Sequence, residues 1–136
     1  MDMRELLSVA ASAADAAYAP YSGFSVGAAL LCDDGTVFTG CNIENASYSV
    51  TVCAERVALF SAVAAGYRDF SAIAVAGGRD GDYSLPCPPC GICRQALAEF
   101  CGSDMKVILS DGRGGIREYT LGELLPESFT LSDKEA

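Results

Sequence analysis

Histidine is absent from the 136 residues, so any metal-binding work falls to sulfur and carboxylate. Basic residues are scarce, with nine Lys and Arg against eighteen Asp and Glu and a net charge of −9. Binding to polymer phosphates needs clustered lysine and arginine, so this balance argues against a nucleic-acid partner. No uninterrupted apolar run approaches the roughly 18 residues of a membrane span, and no membrane association is expected. The opening stretch MDMRELLSVAASAADAAYAPYS has neither a basic segment nor a continuous apolar core. No export signal is therefore expected, and the expected location is cytoplasmic. Repeats, low-complexity tracts and internal linkers are also missing.

What remains is a globular composition. A chain of this length suits one hydrophobic core. Hydrophobic residues make up 51% and charged residues only 20%, which sets it apart from disordered sequences. Much of the apolar content is alanine, which lets helices and sheets approach closely. A surface so poor in charge also suggests burial against copies of the same chain. Seven cysteines without an export signal suit thiols or metal ligands better than a disulfide framework.

Leu6, Leu7, Ala10, Ala14 and Ala17 recur at helical spacing, with a stop expected at Ala19-Pro20. FSVGAALLC and VFTGCNIEN read as two strands around the hairpin signal DDG. CAERVALFSAVAAG reads as a helix with Gly66 just past its end. FSAIAVAG is a buried strand, GRDGDYSLPCPP a loop, and CGICRQALAEFCG a helix closed by Gly102. KVILSD and IREYT follow as strands, and LGELLP as a short helical turn. This order predicts a three-layer α/β/α sandwich with a mixed central sheet of about five strands. Any helical crossover between parallel neighbours is expected to be right-handed. Residues 1–130 form a single domain in this reading, with a short tail over 131–136.

PCPPCGIC places Cys87, Cys90 and Cys93 at three-residue steps, so two C-x-x-C pairs share Cys90. Cys53 opens the second long helix, and Cys90 with Cys93 open the third. A helix N-terminus favours thiolate over thiol, and three thiolates brought together need a cation between them. Zinc suits sulfur ligands, and three protein ligands leave the open fourth position of a catalytic site. Glu55, two residues after Cys53, suits a base beside the metal rather than another ligand. Such an arrangement is hydrolytic machinery.

CAERVALF together with PCGICRQ resembles the zinc signature of the cytidine deaminase family, in its small three-cysteine form. APYSGFSVGAALL, GCNIENASYS and ELLPESF resemble further family segments in the right order, so the likeness covers nearly the whole chain. It implies zinc, one ion per subunit, held by Cys53, Cys90 and Cys93, with Cys87 outside the pattern. The implied reaction is attack of zinc-bound hydroxide on C4 of cytidine or 2′-deoxycytidine, with loss of ammonia, as a step of pyrimidine salvage. Glu55 would shuttle the protons, and Arg56 would donate hydrogen bonds to ligand sulfur. Asn42 and Glu44, two apart at the end of the second strand, would grip the sugar. Phe24 would pack on the nucleoside, and the Ala54 N–H would bind the base carbonyl. Arg94 and Gln95 would make structural hydrogen bonds.

Relatives of this size resemble homotetramers, which implies that Ala46, Tyr48 and Phe129 reach a neighbouring subunit's pocket. Cys32, Cys41 and Cys101 read as small buried residues. Three rival readings compete: a related aminohydrolase such as a blasticidin-S deaminase, a closed four-sulfur structural zinc module that includes Cys87, and a Cys87–Cys90 redox dithiol.

Overall fold

The computed structural model describes residues 1–131, so most of the tail expected over 131–136 lies outside the described residues. Helix α1 spans Met3–Ala14 and starts at Asp2, whose carboxylate accepts the N–H of Glu5 at 2.9 Å. Its buried stripe is Leu6, Ala10 and Ala14, at a spacing of four that keeps them on one face. The helix ends well before Pro20. The N–H groups of Asp15, Ala16 and Ala17 bond instead to carbonyls three residues back. Ala17 therefore lies in a tightened turn rather than in the helix, and Tyr18 bridges to Ile43.

Strands β1 (Ser25–Cys32) and β2 (Val37–Cys41) form the expected hairpin, with Gly35 at φ +93° in the turn. A 3₁₀ turn over Tyr48–Val50 leads to α2 (Ala54–Ala64), which is followed by β3 (Phe70–Gly78). Then come α3 (Gly91–Phe100), β4 (Lys106–Ser110), β5 (Ile116–Thr120) and the single turn α4 (Leu121–Leu124). Gly66 takes the left-handed conformation after α2. Gly102 does not do so after α3, where Cys101 already leaves the helix in an extended conformation.

The sheet has five strands in the order β2-β1-β3-β4-β5. Only β3 and β4 pair in parallel; the other neighbours are antiparallel. The sheet is mixed, as the order of elements predicted. Alternation along each strand separates the core into two halves. Ala29, Ala72, Ala74, Ala76 and Ile108 meet Leu6 and Ala10 of α1. Ala28, Leu30, Ile73, Val75, Val107 and Leu109 face Ala54, Ala58, Leu59 and Ala62 of α2 and Leu97 of α3.

Small residues let both helical layers come close. A Cβ on Gly27 would stand 2.0 Å from the Ala10 carbonyl oxygen of α1. One on Gly40 would stand 2.4 Å from the Ala54 carbonyl oxygen of α2.

This topology sets the site. Both β2 and β3 run antiparallel to β1, so they run parallel to each other. α2 follows β2 and α3 follows β3, so both helices begin at the same end of the sheet. That edge, beyond the carboxyl ends of strands, is where open α/β sheets hold ligands.

Candidate active site

Cys53 is the N-cap of α2 and Cys90 the N-cap of α3, and neither side chain bonds to its own helix start. They turn towards each other. The Cys53 and Cys90 sulfurs are 3.8 Å apart, Cys90 and Cys93 are 3.6 Å apart, and all three lie within 4.8 Å of one another. A tetrahedral zinc with sulfur at about 2.3 Å requires edges of about 3.8 Å between sulfurs. The cluster has these dimensions. Cys87 is not part of it.

Protonation is already biased towards a cation. The Cys53 thiol is drawn down to about 5, first by hydrogen bonding from Cys93 and, against the cost of burial, by Arg56. Cys93 is held well above the usual thiol value by that same bond, and then by burial. A divalent cation in place of the shared proton satisfies all three sulfurs.

Glu55 sits at the first turn of α2 and is 4% exposed. Because Cys53 caps the helix rather than belonging to it, two residues of separation do not carry Glu55 to the opposite side. Its carboxyl is pushed up to about 7, chiefly by burial and further by the Cys53 charge. Its Oε1 is buried and has no partner. Uncompensated burial of this kind costs stability, and it leaves that oxygen able to accept a hydrogen bond from a bound group. Arg56 donates from Nη2 to the Cys53 sulfur at 3.5 Å. Ala54, fully buried, is the first helical residue, so its N–H has no acceptor within the helix.

Asn42 and Glu44 lie just past the end of β2 rather than within it. Glu44 clasps the turn before β1, and Asn42 clasps the start of the strand. The Asn42 amide accepts the Val26 N–H at 2.8 Å and donates to the Phe24 carbonyl at 2.9 Å, leaving one N–H unspent. Glu44 accepts the N–H groups of Tyr21 and Ser22 at 3.0 and 3.1 Å and the Ser22 hydroxyl through Oε2. The Ser22 hydroxyl bond is the first cause that keeps the Glu44 carboxyl below its ordinary range. Ser22 escaped the sequence reading, although serine before the glycine of YSGF is a turn signal.

Phe24 precedes β1 and is half-buried, outside both core clusters. A Cβ on Gly77 would meet Cys87 Sγ at 2.7 Å and Phe24 Cε1 at 3.1 Å, so glycine there makes room for both. Cys87 packs against the main core, and burial pushes its thiol up to about 11. That suits neither a fourth thiolate nor a redox nucleophile.

Tyr48 and Phe129 are 80% and 69% exposed, and Ala46 is exposed too. Arg94 ties the Pro89 carbonyl to that of Leu124, both at 2.7 Å, and Gln95 donates to the Phe129 carbonyl at 2.9 Å. Of the remaining cysteines only Cys32 is fully buried. Cys41 and Cys101 are half-buried, a correction to the uniform burial expected of them.

The family model described as the cytidine and deoxycytidylate deaminase zinc-binding region matches residues 1–110. The chain belongs to this deaminase family. It is 53% identical over 133 residues to a cytidine deaminase of Halalkalibacterium halodurans, covering 98% of each chain. A crystal structure of cytidine deaminase from Burkholderia pseudomallei matches with a TM-score of 0.86 at 50% identity, covering 95% of this chain and 100% of that one. A blasticidin-S deaminase of Bacillus cereus is more distant, at 32% identity over 109 residues, 77% of this chain and 76% of its own. The α/β architecture of the deaminase family is thus the one observed, and zinc is the cofactor of this enzyme. Among the described residues no helix is long and apolar enough to cross a membrane.

Proposed function

We propose that the enzyme hydrolyses cytidine and 2′-deoxycytidine to uridine and 2′-deoxyuridine with release of ammonia. The observation that carries this reading is a three-sulfur cluster of zinc dimensions beside the buried, unpartnered Oε1 of Glu55. In this reading Cys53, Cys90 and Cys93 hold the ion. Zinc, when bound, supplies the Lewis acidity that makes water a nucleophile near neutral pH.

Every other role falls to the chain itself. Glu55, with a carboxyl near 7, both accepts and returns a proton at neutral pH. It takes one from the attacking water and delivers it to ring N3, then takes the second from the hydroxyl so formed at C4 and passes it to the departing amino group, which leaves as ammonia. Arg56 draws charge from the Cys53 thiolate, which keeps a site of three anionic ligands acidic enough. The Ala54 N–H receives the base carbonyl, Phe24 packs on the ring, and Asn42 and Glu44 take the sugar hydroxyls.

Residues 1–130 act as one domain, and the working form is a homotetramer located in the cytoplasm, serving pyrimidine salvage. Ala46, Tyr48 and Phe129 complete a neighbour's pocket, which fits the exposure of both aromatics. Light scattering tests this: a mass near that of one 14.1 kDa chain would remove the cross-subunit roles.

The activity is tested by following the ultraviolet conversion of cytidine by zinc-loaded protein, with and without chelator. Zinc-dependent conversion is expected. Turnover of blasticidin S alone would move the substrate assignment to that rival.

A further inference from the structure

The turn that carries Phe24 is gripped from two sides. Glu44 holds the N–H groups of Tyr21 and Ser22 and the Ser22 hydroxyl, and that hydroxyl also accepts the Phe24 N–H at 3.0 Å. From the other side comes Arg79, the residue directly after β3. Its Nη1 donates to the Ser22 carbonyl, and its guanidinium carbon lies 5.6 Å from the centre of the Phe24 ring. Ser22 is therefore a shared node, with its N–H and hydroxyl committed to Glu44 and its carbonyl to Arg79.

The contact is close and well supported. Gly23, between the two gripped residues, has φ +69°, and a Cβ there would stand 3.2 Å from Arg79 Nη1. The Arg79 main chain is itself pinned, because its carbonyl accepts the Asp82 N–H at 3.0 Å and the two residues form a bridge. A guanidinium is permanently charged, so it offers a charge-assisted hydrogen bond to the carbonyl and a cation to the ring face. The turn it fixes separates two clefts. One, of about 330 Å³, is walled by Tyr21, Ser22, Glu44 and Tyr48. The other, of about 340 Å³, is walled by Phe24, Gly77, Arg79 and Leu85.

We infer that Arg79 is a positioning residue for nucleoside recognition, holding the Phe24 ring and the Ser22–Glu44 unit in fixed relation to each other. It acts through those residues on affinity for the sugar-bearing substrate. Its partners are Ser22 and Phe24, whereas the proton and metal chemistry belongs to Glu55 and the cysteines, so the chemical step is left alone. This inference rests on the nucleoside reading above.

The test combines steady-state kinetics on cytidine with calorimetric binding of uridine to the zinc-loaded protein. Arg79→Ala is expected to raise KM, and to weaken uridine binding, by about tenfold, the worth of one hydrogen bond to a charged group. The kcat should stay within about twofold, because the interaction lost is not one made only in the transition state. With 2′,3′-dideoxycytidine, which lacks the hydroxyls assigned to Glu44, the rise in KM should be smaller. Arg79→Lys keeps a cation and a donor and should restore part of the affinity. Arg79→Gln, which keeps a donor without charge, should give the same split if the alanine variant does not fold.

Unchanged KM and uridine affinity in the alanine and glutamine variants would overturn the inference. So would an equal loss of kcat in the alanine, lysine and glutamine variants together with a lower Tm, since that describes a general structural role. If the parent protein binds uridine in an Arg79-dependent way yet does not deaminate cytidine, the activity reading fails and the positioning role survives. Normal cytidine turnover with Arg79-independent binding has the opposite meaning.

Discussion

Two kinds of helix start coexist in this molecule. At α1 the Asp2 carboxylate caps the Glu5 N–H, and at α4 Thr120 and Glu123 form a reciprocal capping box. At α2 and α3 the N-cap residue is cysteine, and no side chain closes the end. The first pair spends its polar side chains on local stability. The second pair leaves its helix ends open and points its sulfurs across the gap between them. In the proposed reading, a bound metal would supply these two ends with part of the anchoring that the other two obtain from their own side chains.

The contrast is broken most severely by removing the ion. Cys53→Ala should abolish activity and lose the metal by elemental analysis, with a clear drop in Tm. Stoichiometric zinc in that variant would mean that the α2 start is not an anchor at all. Glu55→Gln comes next. It leaves the sulfurs intact, so zinc should remain stoichiometric while kcat falls by at least ~10²-fold, the scale of general acid–base catalysis. Normal turnover of cytidine by this variant would retire the glutamate role.

A matched pair of packing changes separates the two kinds of start further. Gly27→Ala drives a methyl into α1, and Gly40→Ala drives one into α2. Each should cost about 1–3 kcal/mol in urea unfolding, as overpacking does. Only the change at Gly40 presses on the helix that begins at Cys53, so only it should weaken zinc in a competition with a chelating dye. Equal zinc affinity in both variants would show that the α2 start tolerates displacement.

The smallest effect belongs to Asp2→Ala, with a slight loss of stability and unchanged kcat/KM. Hydrogen bonding from the Glu5 N–H lowers the folded-state pKa of Asp2. Its contribution is therefore present at neutral pH and lost as pH falls through that lowered value. The stability difference from the parent should shrink below about pH 4, and melting curves across that range would check it.

Much of the molecule is legible in its residues alone. The element order, the mixed sheet and the pairing of Cys53 with P-C-x-x-C follow from periodicity, turn residues and the resemblance to the deaminases. The misses have local causes. Ala17 falls at helical spacing, but hydrogen bonds to carbonyls three residues back tighten the chain from Asp15 onward. Asn42 and Glu44 look like one strand face, yet Glu44 is bent to the turn before β1 and Asn42 to the start of β1 by the backbone groups they satisfy. Cys41 alternates like a core residue, but β2 is an edge strand and leaves it half-covered. Ser22 and Arg79 carry no motif, because their task is defined only by what stands opposite.

The sequence alone determined the donor chemistry, since a chain without histidine that collects thiols must build its centre from sulfur. It also determined where the helices begin, because caps and turns are decided by neighbours a few residues away. Only the tertiary structure decided that sulfurs 37 residues apart meet at 3.8 Å, that a glutamate beside them loses its water, and that an arginine covers Phe24. Those facts depend on β1 pairing with both β2 and β3 and so aligning two helix starts. Such long-range pairing is a property of the whole sheet, which no local window contains.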